Sequence, residues 1–139
     1  MIQFLQPPGW ARPKGYSNGI AVKGGTTVYI SGQVGFNEKG EFEEKGFAGQ
    51  FRQTLKNILE VLAQSGGRAE HLVRMTWYVV DRQEYLDAIK EVGAAYRELI
   101  GRHYPTMAVV EVRGLVEADA RLEIEAVAVV PEARSAEPS

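Results

Sequence analysis

Apolar residues in this chain recur at two different periods, and the switches between them mark out the elements. Phe47, Phe51, Leu55, Ile58, Leu59 and Leu62 fall three and four apart, which predicts a helix over 46–65 with one apolar stripe, closed by Gly66-Gly67. Tyr85, Ile89, Val92, Tyr96 and Leu99 repeat that spacing and predict a second helix over about 83–100. Elsewhere the period is two. Residues 20–23 and 27–31 are β-rich runs flanking Gly24-Gly25, the pattern of a β-hairpin. Residues 72–81 alternate Val73, Met75, Trp77 and Val79 against Arg74, Thr76 and Tyr78. In 103–112, Pro105 fixes the entry to a strand with Met107, Val109 and Glu111 on one face and Ala108, Val110 and Val112 on the other. Its first residues, Thr106 and Met107, are expected to face a pocket. Last, 121–130 places Leu122, Ile124, Ala126, Ala128 and Val130 on one face and Glu123 and Glu125 on the other.

The order strand, strand, helix, strand, helix, strand, strand predicts an α+β fold: a two-layer mixed sheet with two helices on one face. Val127, Val129, Val109 and Trp77 are expected to leave the other face apolar and uncovered, which implies self-association. Prolines and glycines in the first fifteen residues predict an extended N-terminal arm over 1–14. A single domain then spans 15–131, and the small, polar residues 132–139 are expected to form a flexible tail.

Composition narrows the function classes. The chain has 139 residues, 45% hydrophobic and 24% charged, which is the balance of a single globular domain. Sixteen basic residues against eighteen acidic ones leave a net charge of -2 with no basic run, so neither charge nor pattern points to nucleic acid. The absence of cysteine excludes disulfides, thiolate nucleophiles and Cys-ligated metals. No apolar run is long enough to span a membrane, and residues 1–6 lack the pattern of a signal peptide, so a cytoplasmic protein is expected.

Candidate chemistry is sparse. The two histidines, His71 and His103, lie far apart, so a metal site is not expected. Glu123 and Glu125 are carboxylates on one face of an otherwise apolar strand. They either pair with Arg121, Arg74 or Arg113 across a rim, or place a carboxylate in a cleft to move a proton to or from water. Tyr16 is a pocket wall with a hydroxyl, or an anchor for the arm. Ser31-Gly32-Gln33 ends a strand with polar groups and a glycine that permits close approach. Gln50 and Asn57, taken alone, are capping or surface residues.

Taken together, Gly15-Tyr16-Ser17, Ser31-Gly32-Gln33, Gln50 with Leu55 and Asn57, the strand from Val73 to Asp81, Tyr104-Pro105 and Leu122-Glu123-Ile124-Glu125-Ala126 resemble the Rid (YjgF) family of reactive-intermediate deaminases, from about residue 12 to 131. The resemblance implies a chorismate-mutase-like fold assembled as a homotrimer around a central barrel, with clefts between subunits. It implies hydrolysis of enamines or imines to ketones and ammonia without metal or organic cofactor. Carried over, Glu123 takes the acid/base role, and Tyr16, Ser31 and Gly32 become pocket residues. The family's substrate-gripping arginine, two residues after the proline, is Met107 here. Methionine cannot pair with a carboxylate, and losing such a contact costs on the order of 2–5 kcal/mol of binding. Arg12, Lys14, Arg74 and His103 are candidate replacements. Two functions follow: a deaminase whose substrate differs from simple 2-imino acids, or a trimer that binds a small molecule in the same cleft without turnover.

Overall fold

The computed structural model describes residues 1–132; from residue 133 on, the expected tail lies outside the described residues. The elements are β1 (Ile2–Leu5), β2 (Gly19–Val22), β3 (Thr26–Gln33), α1 (Phe47–Ala63), a 3₁₀ turn (Ala69–His71), β4 (Leu72–Val79), α2 (Arg82–Asp87), α3 (Ile89–Leu99), β5 (Thr106–Glu111) and β6 (Leu122–Val130). Four strands form the main sheet in the order β3-β6-β4-β5. β4 and β5 run parallel and the other pairs antiparallel. A parallel pair needs a crossover, and α2 with α3 supplies it. The α+β class and the placement of helices on one sheet face are as the periodicity predicts.

The core lies between that face and the helices. From α1, Phe51, Leu55, Ile58 and Leu62 are fully buried, against Leu72 and Met75 of β4 and Leu122 and Ile124 of β6. Two polar residues of α1 brace the loops around this layer. Gln50 is 1% exposed; its amide donates to the carbonyls of Glu44 (3.1 Å) and Asp119 (2.9 Å), and its Oε1 accepts from the Arg121 N–H (2.7 Å). Asn57 donates to the carbonyls of Val34 and Phe36 at 2.9 and 2.8 Å. Both are structural ties, not caps or surface residues, because loop carbonyls turned inward need donors that only a side chain can supply.

Four expectations are corrected. The arm is not wholly irregular, since its first residues form β1, antiparallel to β2. The 20–31 hairpin does not form: β2 pairs with β1, and β3 pairs with β6. The Lys23 N–H is taken by the Met1 carbonyl. Gly25, at φ 84°, is pressed so close to the next sheet that a Cβ would meet Val129 Cγ1 and the Val130 carbonyl oxygen at 2.8 Å. The second helix is two helices, parted where Ala88 leaves helical geometry at φ -97°, ψ 11°. Finally, Trp77 and Val109 lie on the helix-covered face. The parallel register sets Met75 beside Met107 and Trp77 beside Val109, so all four share one side, and Trp77 is 3% exposed. Val129 is also buried, leaving the open face mixed in character, with Val127 half-buried and Tyr29 and Val110 exposed.

Candidate functional site

β5 is an edge strand, and its helix-facing residues Met107 and Val109 floor a cleft of about 580 Å³. The opposite wall comes from α2 and α3 through Tyr85, Val92, Gly93, Tyr96 and Arg97, and the segment Lys14–Tyr16 closes one end. Each side is held from the backbone. The Ser17 N–H donates to the Pro105 carbonyl at 3.1 Å and its hydroxyl to the Tyr104 carbonyl, which fixes Tyr16 beside the strand entry. Tyr96 donates to the His103 carbonyl at 2.6 Å and stacks on Tyr104, with rings 5.4 Å apart and 4° from parallel. Burial, and then the neighbouring Tyr104, push the Tyr96 hydroxyl pKa well above its usual value. Trp77 lies between Phe51, 4.8 Å away by ring centroids, and the edge of Tyr85, and its buried indole N–H has no hydrogen-bond partner among the described residues.

Other expected site residues lie on the open face. Glu123 sits opposite Tyr78 in the β4–β6 register, between buried Leu122 and Ile124, so its carboxylate points away from the core. Gly32 lies directly against it, in the bulge between Ile30 and Gln33: a Cβ there would fall 2.1 Å from Glu123 Oε2. Ser31 shares a hollow of about 430 Å³ with Tyr29, Arg74, Thr76 and Glu125. Among the described residues the two glutamates do not pair with arginine. Glu125 accepts from the Tyr78 hydroxyl at 2.8 Å, which raises the Tyr78 pKa, while Arg121 pairs with Glu84 at 2.8 Å. Among the described residues Glu123 makes no ion pair or hydrogen bond, leaving its carboxylate available. Thr106 also faces away from the cleft, with its hydroxyl donated to the Val73 carbonyl at 2.6 Å.

The fold therefore brings Tyr16 and Met107 together on one side of the sheet, and Ser31, Gly32 and Glu123 together on the other. No single chain joins the two sets. Of the four candidate cations, Lys14 alone shares the cleft with Met107. Arg12 and His103 line an adjoining hollow beyond Tyr16 and Tyr104, and Arg74 is on the open face. The residue that sequence reasoning missed is Arg97. Its signal was indirect: Gly93, one turn earlier, is a weak helix former inside a helical pattern.

The profile of the family described as Endoribonuclease L-PSP, which is the Rid or YjgF family, matches residues 10–130. The chain belongs to the Rid family. A human relative, 2-iminobutanoate/2-iminopropanoate deaminase, is 31% identical over 130 residues, covering 93% of this chain and 88% of the relative. A RutC family protein of Aquifex aeolicus is 34% identical over 117 residues, covering 82% and 87%. Among solved structures, a Rid family protein of unknown function from Yersinia pestis, YyfB, superposes with a TM-score of 0.80 at 30% identity, covering 93% and 98% of the two chains. RidA from an Antarctic Psychrobacter gives 0.66 at 31% identity, covering 92% and 99%. The Rid motifs noted in the sequence fall on both sides of the sheet, which places the Rid signature at two surfaces of this chain. No helix among the described residues is long and apolar enough to cross a membrane.

Proposed function

We propose that this Rid protein is a cofactor-free hydrolytic deaminase of a reactive imine or enamine, acting in a cleft that two copies of the chain complete within a homotrimer built around a central barrel. The observation that carries the reading is the separation of the two residue sets by the sheet. One copy presents the Tyr16–Met107 cleft, and a neighbour presents Glu123 with Ser31 and Gly32. The deaminase relatives supply the reaction class. A nuclease reading, suggested by the profile's description, is less well supported, because a net charge of -2 offers little attraction to phosphate.

The chemistry is R₂C=NH + H₂O → R₂C=O + NH₃. Water adds to the imine carbon, Glu123 takes its proton and returns one to nitrogen, and the C–N bond breaks as the carbonyl forms. An unpaired carboxylate suits this proton transfer. The apolar floor favours neutral collapse of the adduct by limiting water. Met107 argues that the substrate differs from the short 2-imino acids of arginine-bearing relatives. The test is the decay of freshly generated imines with wild-type protein and Glu123→Gln. Loss of at least tenfold in rate is expected for removing a positioned acid/base group; equal rates in both proteins, or none above buffer, would sink the proposal. Met107 also favours the second reading, a small-molecule-binding trimer without turnover. Recovery of a bound imine unchanged after long incubation would select it.

A further inference from the structure

The cleft beside β5 carries a charge pattern that neither the reaction nor Met107 explains. Its lining holds two cations, Lys14 and Arg97, and no carboxylate. Neither is in an ion pair or a side-chain hydrogen bond among the described residues, and the carboxylate next in sequence, Glu98, is taken by Arg52. A desolvating ligand that left both cations unmatched would bind poorly, so the lining favours an anionic one.

Arg97 is directed at this space by the helix itself. It lies one turn after Gly93 on α3, and a Cβ at Gly93 would stand 3.3 Å from Arg97 Nη1. The guanidinium is therefore folded back towards the N-terminal end of α3, along the wall that lines the cleft. Glycine weakens a helix interior, and here the space it leaves is where the guanidinium rests. The floor below is apolar and adaptable: Met107 and Val109 from β5, with the Trp77 and Tyr104 rings beside them. A floor of apolar side chains with two aromatic rings beside it suits a ring-bearing ligand better than a three- or four-carbon acid.

We propose that the cleft takes an imino acid with a bulky, aromatic-class side chain, its carboxylate held by Arg97 on the α3 wall with Lys14 beside it, and its side chain lying on Met107 and Val109. The anion grip has moved from the strand to the helix, which frees the strand side for the apolar body of the substrate. Arg97 is a binding residue and exchanges no proton; bond making and breaking remain those of imine hydrolysis. The choice of substrate rests on the deaminase reading, whereas the grip is a statement about binding and can be tested without turnover.

Two measurements on the full chain separate these. Imines are generated in place from alanine, leucine and phenylalanine by an amino-acid oxidase with catalase, and ammonia release is followed. The phenylalanine-derived imine is expected to show a kcat/KM at least about tenfold above the alanine-derived one. Arg97→Met is expected to raise its KM by about 10–100-fold with kcat little changed, as loss of uniform binding does, while Arg97→Lys retains most of the affinity. Phenylpyruvate, the stable ketone with the same skeleton, is titrated by calorimetry against wild type and Arg97→Met, with its methyl ester as the uncharged control. Arg97 is exposed, so these variants should fold. Phenylpyruvate affinity that is unchanged in Arg97→Met, or equal to that of the ester, overturns the grip even where imines are hydrolysed. Arg97-dependent phenylpyruvate binding without any imine turnover supports the grip and sinks the deaminase reading. Absence of both binding and turnover sinks both.

Discussion

A Cβ on Gly32 would fall 2.1 Å from Glu123 Oε2 and 2.7 Å from its carboxyl carbon, so alanine at this position must displace the carboxylate. The obstructing atoms are the far end of a flexible side chain, and the backbone carries no such clash. Gly32→Ala is therefore expected to change stability by less than about 1 kcal/mol. Imine hydrolysis should fall at least tenfold, because a displaced acid/base group loses its alignment with water and nitrogen. Urea unfolding and imine decay measured on one preparation check both halves, and retained activity would show that the Glu123 position does not matter. Gln50 gives the opposite pattern. Gln50→Leu keeps the volume but strands the Glu44 and Asp119 carbonyls and the Arg121 N–H in a part-buried layer. The expected cost is about 2–4 kcal/mol, read as a lower urea midpoint at unchanged slope.

Elements, more than single residues, decide what could be read from the chain alone. α1 and β6 follow strict apolar periods, and their buried faces lie where those periods put them. β4 does so for Met75, Trp77 and Val79, but a register irregularity between Leu72 and Arg74 buries Leu72 where the alternation puts Val73. β5 also keeps the faces set by Pro105. Failures occur where a local pattern meets a competitor elsewhere in the chain. Gly24-Gly25 signals a hairpin, but β1 and β6 take the two strands that it would join. Ala88 breaks the second helix without any glycine or proline to announce it. The lining of the cleft divides in the same way: motifs single out Tyr16 and Met107, while the place of Arg97 beside them depends on how α3 lies across β5. α3 also carries a pH dependence. Tyr96 is buried, which raises its hydroxyl pKa above the usual 10.0. On raising the pH the unfolded chain loses this proton first, so the contribution is complete below pH 10 and is lost as the pH climbs from there through the folded value. Tyr96→Phe should cost about 1 kcal/mol at pH 7 through loss of the bond to the His103 carbonyl. Its urea midpoint should then fall less steeply than that of wild type between pH 9 and 11.

At the scale of the whole molecule, the proposed homotrimer turns on the open sheet face. Tyr29 is 80% exposed there, beside the hollow formed with Arg74, Thr76 and Glu125, and Val110 is 40% exposed on the same side. An aromatic ring so exposed on a sheet face gains most from a partner surface. Tyr29→Arg places a second charge near Arg74 and is expected to shift the sedimenting species from three chain masses towards one, with an unchanged far-ultraviolet circular dichroism spectrum. Deamination should fall with it, since the Tyr16–Met107 cleft would lose the Glu123 of its neighbour. Complementation tests this division directly. Glu123→Gln retains the cleft and lacks the carboxylate; Met107→Glu retains the carboxylate and sets a negative charge in the cleft. Each variant alone should be inactive. After refolding an equal mixture, a site needs its cleft from the first variant and its carboxylate from the second, so random assembly of two-chain sites restores about a quarter of wild-type activity. A mixture as inactive as its parts would mean that each chain supplies both its own cleft and its own carboxylate, and the two-chain site would be abandoned.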